Sequence, residues 1–90
     1  MGRDSEKNGF EIIITSPVNY NELVAEIHYK GKFVALISQE KGKGQFDLEL
    51  PEKDIDESMI AHKVDLEGFT RAMELACKRL QGRNQSKKAK

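Results

Sequence analysis

Ninety residues, 33% of them charged and 38% hydrophobic, with a mean hydropathy of -0.63, provide enough apolar matter for one small core and not for two. Fifteen basic residues balance fifteen acidic ones, so the overall charge favours no class of partner. No apolar run approaches the roughly 18 residues of a membrane helix. The opening MGRDSEKNGF is too polar for a signal-peptide core, and a single cysteine, Cys77, excludes an internal disulfide framework and a Cys-based zinc site. The expectation is a reduced, cytoplasmic, single-domain chain with no cofactor.

In chain order, residues 1–9 are charged and polar after Met1 and read as a flexible leader. FEIIIT (10–15) is short and β-branched, which predicts a strand, with Phe10, Ile12 and Ile14 on one face and Ile13 on the other. Ser16-Pro17 ends it, because proline has no N–H for the ladder. The next segment, NELVAEIHYKGKFVALISQE (21–40), holds two strand-like runs around Lys30-Gly31, the mark of a tight hairpin. A two-residue loop pairs Tyr29 with Lys32, Ile27 with Val34 and Ala25 with Leu36. It leaves Val24, Glu26, His28, Phe33, Ala35 and Ile37 on the opposite face, whereas a one-residue shift swaps those partners.

Lys41 to Gly44 reads as a turn. QFDLEL (45–50) then alternates, placing Phe46, Leu48 and Leu50 inward and Asp47 and Glu49 outward, until Pro51 stops the strand. EKDIDES (52–58) is an acidic loop, and MIAHKV (59–64) is a candidate short strand. A helix follows over 66–81, with Asp65 as its N-cap and Gly82 as its terminator. Leu66, Phe69, Ala72, Met73, Ala76, Cys77 and Leu80 share an arc of about 140°. Leu75 falls outside that stripe, and Gly68 suggests close approach to a strand. The tail, 83–90, is polar and basic and reads as disordered. The architecture implied is α+β: an antiparallel meander sheet of four to five strands, with one C-terminal helix packed on one face of a single domain over 10–82.

Few residues invite chemistry. His28 and His62 are the only side chains that titrate near neutrality, but no nucleophile or metal-ligand spacing accompanies either. Cys77 lies on the core stripe near a helix C-terminus, where the dipole disfavours a thiolate. Gly42-Lys43-Gly44 lacks the helix and Gly-Lys-Ser/Thr that a phosphate loop requires. Neither catalytic nor metal-ligating residues are therefore assigned.

Two charged regions remain. Asp47, Glu49, Glu52, Asp54, Asp56 and Glu57 surround one lysine, which suits either a solvated edge strand or a surface that steers a basic partner. Lys78, Arg79, Arg83, Lys87, Lys88 and Lys90 have no acid among them. Such a tail can contact nucleic-acid phosphates, but no aromatic residue is interleaved for base stacking.

GKFVALISQE (31–40), the acidic alternating strand behind it and VDLEGFTRAMELACKRL (64–80) resemble small bacterial proteins of the toxin-immunity type, encoded beside contact-dependent or polymorphic toxins. The similarity spans roughly residues 10 to 81. It implies a non-enzymatic cytoplasmic inhibitor that binds a cognate toxin domain, and it carries over no catalytic motif.

The function expected is thus protein binding. Asp47, Glu49, Asp54, Asp56 and Glu57 would steer a protein partner such as a basic toxin domain, with Phe33 and Leu75 as apolar anchors. One helix cannot cover both faces of a sheet, so Ile13, Val24, Phe33, Ala35 and Ile37 would require a partner or a homodimer on the other side. The alternative is a small nucleic-acid-associated regulator using Arg83, Lys87, Lys88 and Lys90.

Overall fold

The computed structural model describes residues 2–5, 8–42, 44–53 and 55–88, with 2–5 and 83–88 described as backbone only. Five strands form one antiparallel sheet in sequential order: β1 Gly2–Ser5, β2 Phe10–Thr15, β3 Val24–Tyr29, β4 Lys32–Ser38 and β5 Asp47–Glu49. A short 3-10 turn, Glu57–Met59, precedes the helix α1, Leu66–Lys88. The fold is α+β, a meander with one C-terminal helix on one face.

The β3–β4 hairpin turns on Lys30 and Gly31, both at positive φ (50° and 84°), the pair of conformations that matches strand twist. Tyr29 pairs with Lys32 as the two-residue loop requires. Beyond that point the register departs from the simple ladder. His28 pairs with Phe33 but Ile27 pairs with Ala35, so Val34 is an extra residue in a bulge. Every later side chain on β4 therefore changes face. Ala35 and Ile37, expected on the open side, are buried in the core, and Leu36 stands opposite Glu26 instead.

The core lies between the sheet and α1. Phe10, Ile12 and Ile14 from β2 meet Tyr29, Ile27 and Ala25 from β3 as cross-strand neighbours. Ala72, Ala76 and Leu80 press onto them from the helix. Two small residues one turn apart let the helix settle close to the strands. Gly68 is placed where contact is tightest: a Cβ there would lie 2.8 Å from the Phe10 ring. Asp65 caps the helix, accepting a 2.8 Å bond from the Gly68 N–H through its carboxylate and one of 2.9 Å from Phe69 N–H through its carbonyl.

Four sequence expectations need correction. The segment read as a leader contributes β1, because the edge of β2 offers unpaired backbone groups that even a polar strand can satisfy. The helix passes through Gly82 and continues to Lys88, into the stretch read as disordered. A glycine costs a helix about 1 kcal/mol and only proline blocks it outright, and no proline follows. Residues 59–64 form no strand; Ile60 makes a single parallel bridge to Phe33, and Ala61 N–H donates to the Phe33 carbonyl at 2.9 Å. Leu75, read as lying outside the apolar stripe, is half-buried against the core cluster rather than free on the helix surface.

Candidate functional site

The edge of β4 is shared by two short pieces of chain. β5 pairs with its C-terminal half, Leu36 to Ser38, and the bridge at Ile60 holds its beginning. Between them lies a groove of about 440 Å³, lined by Val34, Leu48, Leu50, Ile60, Ala61 and Phe69 among others. The inward alternation expected of Leu48 and Leu50 is half right. Leu48 pairs with Ile37 and so faces the helix side, but α1 lies across β2 and β3, touches β4 and does not reach β5. Leu48 is consequently 47% exposed and Leu50 67%. Met59 (56%) and Leu66 (76%) add apolar surface on the turn and on the first residue of the helix. Leu66, expected in the core stripe, stands in solvent at the first residue of the helix.

The surrounding chain is acidic. Residues 45–67 contain eight carboxylates and two lysines. The steering acids proposed from sequence are held by local contacts in this corner. Asp47 meets the Lys41 ammonium at 2.9 Å, and Glu49 accepts a 2.7 Å bond from the Tyr20 hydroxyl. Asp56 caps the 3-10 turn through the Ser58 N–H at 3.0 Å, which holds its carboxyl below the usual range. Glu57 lies 4.0 Å from His62. Asp54 lies outside the described residues. The bond to Glu49, reinforced by burial and neighbouring carboxylates, pushes the Tyr20 hydroxyl up to about 12.

The opposite face of the sheet is less open than the sequence suggests. Ile13, Glu26, Leu36 and Glu49 form one cross-strand row, and Glu11, His28 and Phe33 form the next. Phe33 is half-buried there, its ring edge-on to His28 at 5.7 Å, while His28 Nε2 lies 3.1 Å from the Glu26 carboxylate. Val24 is fully buried. The 16–23 connection is tied to the end of this face. Glu40 accepts from the backbone N–H groups of Asn21 and Glu22, Gln39 Nε2 donates to the Leu23 carbonyl at 3.0 Å, and Tyr20 reaches Glu49.

The remaining candidates are dispersed. His28 is mid-sheet and His62 lines the groove, so the structure does not bring them together. Among the described residues no group of three or more His, Cys, Asp or Glu is placed to hold a metal ion, and no helix is long and apolar enough to cross a membrane. Burial raises the Cys77 thiol above its ordinary value. Arg83, Lys87 and Lys88 fall on the final turns of α1, and Lys90 lies outside the described residues.

Sequence reasoning missed the groove. Its signal was present in Ile60, Leu48 and Leu50, but only the pairing of residues 60–61 with β4 joins them into one surface. No family model, curated protein or solved structure matches this chain.

Proposed function

We propose that this chain is a protein-binding module whose contact surface is the corner formed by β5, the 59–62 segment and the start of α1. The observation that carries the reading is the groove that brings Leu48 and Leu50, both substantially exposed, together with Ile60 and Phe69 in an acidic stretch of chain. Apolar side chains of this size contiguous in water are a standing reason to bind, and the carboxylates select what binds. The partner is a protein with a basic, aliphatic contact surface. A toxin-domain inhibitor is the form of this function that fits the resemblance noted above, and a basic nuclease-like toxin domain fits the charge.

The homodimer alternative is weaker at this corner. A two-fold contact buries the same patch on both protomers, so it would gather the carboxylates of Glu49, Glu52 and Glu57 from both copies into one interface. Nucleic acid is disfavoured by the same carboxylates, which leaves only the end of α1 for phosphate contacts. The test is site-specific photocrosslinking in lysate of the source cell, with the probe at Leu50 or, as a control, at the fully exposed Val18. One basic protein captured from Leu50 and not from Val18, and lost at high salt, supports the reading. The same captures from both positions, or none, contradict it. The inhibitor form further requires that co-expression with the captured protein relieve its toxicity.

A further inference from the structure

From the edge geometry we infer that β5 is a strand-addition site, and that its occupant is an extended segment of another protein in which aliphatic residues alternate with lysine or arginine. This rests on the binding corner proposed above and names the form of its ligand.

Three observations lead there. The sheet order ends at β5, and among the described residues no other segment pairs with the outer side of Asp47–Glu49. Among the described residues nothing bonds to the backbone groups along that side, the condition under which a further strand can add. Second, the two faces of this edge differ chemically. Leu48 points to the groove side, with Leu50 two residues on, and Asp47 and Glu49 point to the other side. A strand laid alongside would meet aliphatic side chains on one face and carboxylates on the other. The complementary sequence therefore alternates, and alternation reads the same for a parallel or an antiparallel approach.

Third, the edge is guarded against its own kind. Protein edges commonly carry lysine, a bulge or a proline to prevent uncontrolled pairing. Here the three strand residues include two acids, and Pro51 limits the length. Two β5 edges brought together would oppose Asp47 and Glu49 to one another, an unfavourable cross-strand pairing. A basic segment reverses the sign of that term, so the feature that blocks self-addition favours the proposed ligand.

The experiment is an amide NMR titration of the full chain with the hexapeptide Lys-Val-Lys-Val-Lys-Val. Two further peptides serve as controls: the block sequence Lys-Lys-Lys-Val-Val-Val, and the alternating one with every second backbone amide N-methylated. The inference expects shifts centred on residues 46–50, slowed amide exchange there, and binding at least tenfold weaker for both controls. Glu49→Lys should weaken the lysine peptide and strengthen Glu-Val-Glu-Val-Glu-Val, each by about tenfold. Equal binding of the N-methylated peptide overturns strand addition, as does absence of binding at millimolar peptide. Shifts confined to Val34 and Phe69, with the β5 amides unmoved, also overturn it, but they leave the groove as a binding surface. Failure of the corner itself would show instead as shifts elsewhere, together with loss of the Leu50-specific crosslink.

Discussion

Under α1, isoleucine and phenylalanine are sealed from water; at the β5 corner, leucine and methionine of similar size stand in it. The sequence patterns are alike, since FEIIIT and QFDLEL both alternate large apolar residues on one face. What separates them is reach. Two alanines bring α1 down over β2 and β3, and the helix does not extend to β5. Alternation thus marks which side of a strand is apolar, and the placement of the next layer decides whether that side is core or contact surface.

The largest expected effect sharpens this contrast. Ile27→Ala should cost about 3 kcal/mol of unfolding free energy, because it empties a fully buried site. Leu50→Ala should stay within about 0.5 kcal/mol, as exposed substitutions do. Urea denaturation measures both, and similar losses would break the distinction between core and corner. Next come two glycines of one helix. Gly68→Ala should lose about 1–2 kcal/mol, the clash with Phe10 outweighing the better helix propensity, whereas at Gly82 nothing lies within 4 Å of an added Cβ and alanine should gain about 0.5–1 kcal/mol. Opposite signs in thermal melts would confirm that the helix is held at its beginning by close packing.

The smallest effect concerns the loop tie at Glu40. Hydrogen bonds from the backbone N–H groups of Asn21 and Glu22 hold its carboxyl below the ordinary value. A lowered folded-state pKa gives stability that is complete above the ordinary carboxylate value and is lost as pH falls through the folded one. Glu40→Gln should therefore be slightly destabilising near neutrality and should flatten the acid limb of the stability profile. An unchanged acid limb would remove Glu40 as the loop's clamp.

Much of the fold was legible because single residues carried it. Lys30-Gly31 encodes the hairpin turn, Asp65 encodes the cap, and Gly68 signals the close approach that Phe10 makes. The bulge at Val34 was not legible, since FVALI is apolar at every position and offers no period-2 signal to reveal a slip. β1 was hidden for a different reason: GRDS has no strand propensity of its own and is a strand only through its pairing with β2. Of the site, the acids of 47–57 could be named from composition. The groove beside them could not, because Phe69 sits on the helical stripe and reads as core, and the pairing at Ile60 has no sequence signature. Phe33 and Leu75 were chosen from apparent exposure; the His28 ring against Phe33 and the packing of Leu75 on the core cluster leave both half-buried.

The most direct test is the affinity of the protein captured through Leu50, compared for Leu50→Lys and Val18→Lys, two lysines introduced at exposed apolar positions. The account predicts at least a tenfold loss for Leu50→Lys, about 1.4 kcal/mol, and no change for Val18→Lys. Equal affinities for the two would contradict the corner as the surface by which this protein works.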